Sequence, residues 1–163
     1  MLQLLEKLEA VSSPDPAPAR ASLTLTFADR RKSRLRTRLD YGREAVVLLP
    51  RGSILRDGDR LRDPHANLIV SVQAAPESLS VARAQNHHLL CRAAYHLGNR
   101  HVPVQLGPDW LAYEHDHVLD GMVRALGLSV TGERRAFEPE AGGYSHAREE
   151  DGHGATHAHH HAS

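Results

Sequence analysis

The apolar residues between Leu23 and Val72 come in short runs rather than in helical steps. LTLTF (23–27) and RLRTRLD (34–40) alternate with polar positions, while AVVLL (45–49) and LIVSV (68–72) are almost solidly apolar over five residues. Both patterns predict strands. DYG (40–42) and DGD (57–59) supply turns between them. SSPDPAPARA (12–21) holds three prolines and reads as an extended connector, because proline fits neither a helix interior nor a central strand. A small N-terminal β-rich domain over residues 1–75 follows, ending at the AAPES segment.

Beyond Ala75 the period changes. Ser78–Arg83 predicts a strand, and AQNHHLLCRAAYHLG (84–98) predicts a helix with Leu90, Ala93, Ala94 and Leu97 on one face and Gly98 as its C-terminal cap. HVPVQL predicts a strand starting at His101, with Pro103 marking an edge, and WLAYE (110–114) a second one. DHVLDGMVRALG (116–127) predicts a helix capped by Asp116 and closed by Gly127, with Leu119, Met122, Val123 and Leu126 facing inward. LSVTGERRAF (128–137) adds a last strand. The order strand, helix, strand, strand, helix, strand is the split βαβ pattern, so residues 76–140 predict a ferredoxin-like βαββαβ domain and the chain as a whole an α+β fold. From Ala141 to Ser163 periodicity disappears. Gly, Ala, Glu and His bury too little apolar surface to offset the entropy of ordering, which predicts a disordered tail.

Composition narrows the function. Twenty basic residues balance twenty acidic ones, and aromatics reach only 4%; a neutral chain with few stacking platforms argues against nucleic acid as a partner. No apolar run is long enough to span a membrane, and the N-terminal MLQLLEKLEA is too charged for a signal peptide, which predicts a cytoplasmic protein. The single cysteine, Cys91, rules out an intrachain disulfide and thiolate-rich zinc sites within one chain. No GxSxG, HExxH or glycine-rich phosphate loop is present, so no enzyme is predicted. The alternating Arg34, Arg36 and Arg38 read as a solvated sheet face.

The chemistry that remains is imidazole. Six of the thirteen histidines lie in the tail, and His153, His157, His159, His160 and His161 are interrupted by Gly, Ala and Thr, unlike the clean block of an added tag. Histidines two to four residues apart on a flexible chain adapt to Ni(II), Cu(II) or Zn(II). His115 and His117 in EHDH sit where a strand meets a helix; they share a face if the segment is extended and diverge if it is helical. His101 stands alone, a poor site unless a two-fold axis brings it against its own copy.

AYHLGNRHVPVQL (94–106), YEHDHVLDGM (113–122), FEPEAGGY (137–144) and the histidine tail, with LLPRGSILRDGDRL (48–61) upstream, together resemble the UreE family of urease accessory proteins, which are nickel metallochaperones. The likeness covers nearly the whole chain. It implies a homodimer whose N-terminal domain resembles a peptide-binding β fold and whose C-terminal domain binds metal and pairs the two chains. It makes His101 the principal nickel ligand, facing its symmetry copy, with His115 and His117 as secondary ligands and the tail as a further donor. It implies as partners a urease accessory GTPase and the apo-urease assembly complex. Gly121 departs from the family's usual DHVLDD, removing one carboxylate. Two other readings are a histidine-rich metal store without a client, in which the tail would carry nearly all bound metal, and a nucleic-acid module using the Arg34 to Arg38 face.

Overall fold

The computed structural model describes residues 1–8 and 19–141. Eleven strands and three helices are found among them: β1 (Leu2–Leu4), β2 (Glu6–Leu8), β3 (Ala21–Leu25), α1 (Phe27–Arg30), β4 (Arg34–Arg38), β5 (Glu44–Leu48), β6 (Arg60–Asp63) and β7 (Leu68–Ala74), then β8 (Pro76–Arg83), α2 (His87–Gly98), β9 (Gln105–Leu106), β10 (Trp110–Glu114), α3 (His117–Ala125) and β11 (Ser129–Ala136). The chain is α+β.

Up to Ala74 the strands form two sheets, ordered β1-β5-β4 and β2-β6-β7-β3. Period-2 alternation sends Leu2, Leu4, Leu23, Leu25, Val47, Leu61, Val70 and Val72 into one shared core. Each fully buried leucine or valine there is worth about 1.5–3 kcal/mol against the exposed state. On β4 the outward positions are Arg34, Arg36 and Arg38, all exposed, as the alternation requires.

The strand expected at 23–27 ends at Leu25, because Thr26 leaves the sheet to cap the four-residue α1, accepting a hydrogen bond from the Asp29 N–H at 3.3 Å. The N-terminal β1 and β2, and β6 after the DGD turn, were not foreseen. Their runs are only three or four residues long, and β2 and β6 interleave charged side chains.

From Pro76 onward one four-stranded sheet has the order β11-β8-β10-β9 with every neighbouring pair antiparallel. One face packs Ala82, Leu111 and Tyr113 against Ala93 and Leu97 of α2 and Val123 of α3. The opposite face, Leu79, Val81 and Ala112, meets Phe27 and Phe137. Those two rings touch edge to face at 5.5 Å between centroids. This second face is where the N-terminal sheets join the C-terminal one. There Arg30, fully buried, donates to the Glu138 carboxylate and the Phe137 carbonyl, and at 3.2 Å to the Leu55 carbonyl.

In α3, Asp116 caps the N-terminus through the Val118 and Leu119 N–H groups, and Gly127 follows the helix at φ 97°. Those two backbone donors hold the Asp116 carboxyl below its usual range. Gly121 is exposed in mid-helix, and a Cβ there would meet nothing within 4 Å. Gly121→Ala is therefore expected to stabilise the protein by about 1 kcal/mol, read as a raised urea midpoint at unchanged slope; a lowered midpoint would count against an unhindered helical position.

Candidate metal centre

The exit of α2 sets the geometry of His101. Gly98 is the last helical residue and Asn99 the cap, still right-handed at φ −62°. Gly98 is therefore not the cap expected from its position. The left-handed residue is His101, at φ 57°. Its N–H reaches the Gly98 carbonyl at 2.9 Å, and the Val102 N–H returns to the Leu97 carbonyl at 3.2 Å, which closes the turn on both sides. Nor does His101 open a strand: β9 begins only at Gln105, because a left-handed residue cannot extend a ladder and Pro103 has no N–H to contribute. Glycine usually occupies such a position, and an L-residue there costs roughly 1–2 kcal/mol. The surrounding hydrogen bonds hold the strain in place.

The His101 side chain is exposed and borders a cleft of about 450 Å³. Phe27 and Ile54 line the cleft from the N-terminal part, and Ala94, Val104 and Leu106 from the C-terminal part. Glu140 and Ala141 line it too. The Glu140 N–H bonds the Val104 carbonyl at 2.9 Å, and the Glu138 N–H bonds Gln105 Oε1 at 3.1 Å. The root of the histidine-rich tail is thus stitched along the segment that follows His101. His153, His157, His159, His160 and His161 lie outside the described residues.

His115 and His117 flank the Asp116 cap: His115 follows the end of β10, and His117 is the first residue of α3. Both are exposed, and among the described residues only His115 has a side-chain tether. Its Nδ1 lies 3.0 Å from Ser80 Oγ and 3.5 Å from Asp120 Oδ2. Asp120 is itself buried and accepts the Tyr113 hydroxyl at 2.9 Å. Burial and that bond raise the Tyr113 pKa, keeping the phenol a donor. Among the described residues, no three of His, Cys, Asp or Glu come together as a metal cage. His101 and the His115 pair are separate, incomplete donor sets.

Residues 77–162 match the C-terminal domain of the UreE urease accessory protein, and residues 2–75 match its N-terminal domain. The chain belongs to the UreE family. UreE of Pseudomonas putida is 51% identical over 137 residues, 84% of this chain and 82% of the relative. UreE of Citrobacter koseri is 50% identical over 159 residues, covering 98% of this chain and all of the relative, and that of Escherichia coli O157:H7 is 45% identical over the same length. As a UreE-family member the chain is a urease accessory protein and a chaperone, not an enzyme.

Sequence reasoning missed Ser80, Tyr113 and Asp120. Their signal was faint: an acid inside the apolar stripe of α3, five residues after His115, and a serine two residues before Ala82 on the strand beside Tyr113.

Proposed function

We propose that this protein is a homodimeric nickel chaperone that holds Ni(II) between two subunits and passes it to the apo-urease assembly complex through the accessory GTPase. The observation that carries the reading is His101, an imidazole presented by a strained, over-determined turn on the wall of a cleft that also holds the root of the tail. One imidazole per chain is a poor metal site. Two related by a two-fold axis, with water and tail donors, make a fillable but incomplete octahedral shell suited to nickel, and Zn(II) or Cu(II) compete for the same donors.

Several features support the arrangement. Leu106, 50% exposed, lines the His101 cleft, and Tyr95, 65% exposed, lies on α2 beside Ala94 of the same cleft; both offer apolar surface for a second copy. The two family matches, over residues 2–75 and 77–162, support a division into an N-terminal part ending near residue 75 and a C-terminal part after it. The strand order β11-β8-β10-β9 is that of a ferredoxin-like sheet. The C-terminal match runs to residue 162, which supports reading the tail as part of the chaperone. His115, His117 and the tail histidines serve as secondary donors, and tethering raises local imidazole to about the millimolar range, so ligands join and leave without releasing the metal to bulk water. No helix among the described residues is long and apolar enough to cross a membrane. We place delivery in the cytoplasm.

The test is nickel stoichiometry of the full chain and of a form ending at Glu140, with molar mass measured alongside. The shortened form is expected to bind fewer ions but to keep one tight site per dimer. Loss of all tight binding with the tail would favour a histidine-rich store without a client, and equal capacity would remove the tail from the mechanism.

A further inference from the structure

We propose that Asp120, backed by Ser80 and Tyr113, is a positioning residue that fixes the His115 ring with its proton on Nδ1 and so presents Nε2 as the metal donor. The inference rests on the reading of His115 as a secondary nickel ligand. Its basis is a run of contacts that ends at one ring nitrogen.

Ser80 is fully buried on β8 and is the cross-strand neighbour of Tyr113 on β10. The His115 N–H continues that ladder to the Ser78 carbonyl at 3.1 Å, which sets the ring over Ser80. The Asp120 side chain is only 6% exposed, whereas that of His115 is 55% exposed. One Asp120 oxygen takes the Tyr113 hydroxyl; the other lies 3.5 Å from His115 Nδ1 and 3.7 Å from Arg124 Nη2. The inner nitrogen therefore faces a carboxylate and a serine oxygen. A lone pair on Nδ1 would point at that carboxylate and be repelled; a proton there is attracted to it and has Ser80 Oγ within 3.0 Å as acceptor. Ser80 Oγ–H remains available to the Tyr113 hydroxyl beside it.

With Nδ1 protonated, the lone pair belongs to Nε2, which has no partner among the described residues. Histidines that bind metals commonly donate their other ring N–H to a carboxylate, which fixes tautomer and ring direction and makes the ligating nitrogen more basic. Asp120 occupies that place. His117, one residue past the cap, has no such support among the described residues. The two histidines of EHDH are thus unequal despite their symmetric spacing, and His115 is the better donor.

Ring nitrogens and bound metal can both be read at this histidine in the intact protein. Long-range ¹H–¹⁵N spectra of the metal-free full chain above about pH 8, where an ordinary imidazole is neutral, report which nitrogen bears the proton. The His115 signal is assigned by its absence in His115→Ala. Nickel is then titrated and the broadening of each histidine signal followed, with His101 as internal control.

The parent is expected to show His115 as the Nδ1–H tautomer. Asp120→Asn should shift it toward the Nε2–H form favoured in water and raise the nickel needed to broaden His115 by roughly 10- to 100-fold, with His101 unchanged. Tyr113→Phe keeps the ring packing but releases the other Asp120 oxygen, and should shift both readings in the same direction by less; it serves if Asp120→Asn does not fold. An Nε2–H tautomer in the parent, or no change of either reading in the variants, overturns the positioning role. A His115 signal that nickel never broadens, with the Nδ1–H tautomer present, overturns instead the reading of His115 as a ligand and the proposal with it.

Discussion

His101→Ala is expected to abolish the tight nickel site while leaving a folded dimer. The side chain is exposed and carries no hydrogen bond among the described residues, so its loss opens no cavity and orphans no partner. In the two-fold symmetric site proposed above, one substitution removes two ligands, and what remains is water and tail imidazole. Calorimetric titration should lose its tight phase, whereas light scattering should still report a dimer because the apolar surface around Leu106 and Tyr95 is untouched. His115→Ala and His117→Ala should each weaken only a secondary phase. In a urease activation assay the His101→Ala protein should fail at limiting nickel and be partly bypassed by excess. A variant that binds and delivers nickel like the parent would overturn the central assignment.

The same position separates function from stability. At φ 57° alanine keeps the left-handed strain, whereas glycine relieves it. His101→Gly should therefore unfold at higher denaturant than His101→Ala, by about 1–2 kcal/mol, although both have lost the metal. Selection for foldability alone would place glycine at this turn. A histidine there indicates that the side chain is worth its strain.

What was legible in the chain follows how local each signal is. Asp116 and Gly127 bracket α3 through contacts within one helical turn, and the alternation of Arg34, Arg36 and Arg38 identifies their face of β4 directly. His101 looked like the start of a strand because apolar alternation follows it. Its true state depends on the Leu97 and Gly98 carbonyls closing the turn, which glycine at 98 disguised as the cap. His115 was recognised as a candidate, yet its tether to Ser80 spans 35 positions along the chain. Arg30 gave no sign at all. It sits in a basic run that reads as solvated surface, and only a carboxylate 108 residues away explains why it is buried.

That distant pair carries the largest expected effect on stability. Among the described residues Glu138 is the only carboxylate meeting the Arg30 guanidinium, whose Nε has no partner there and whose other contacts are the Phe137 and Leu55 carbonyls. Glu138 also takes the Asp57 N–H at 3.2 Å and lies 3.4 Å from Arg56, while Arg56 bonds the Pro139 carbonyl at 2.6 Å. Glu138→Ala leaves a fully buried cation without its counter-charge, a loss of about 3 kcal/mol, at the low end of that range because Glu138 itself is 27% exposed. For a chain of this size that is a fall in melting temperature of roughly 6–12 °C. Arg30→Met removes the buried charge as well as the pair and should cost less than Glu138→Ala; the double variant should fall well short of the sum of the two. Because residues 137–141 hang from this contact, Glu138→Ala should also loosen the tail root beside His101, seen as faster amide exchange at Glu140, whose N–H bonds Val104. The number of nickel ions bound should not change, since every imidazole remains. Additive single and double variants, or an unaltered Glu140 amide, would mean that the two parts of the chain are held by the Phe27 and Phe137 contact and that the ion pair only decorates it.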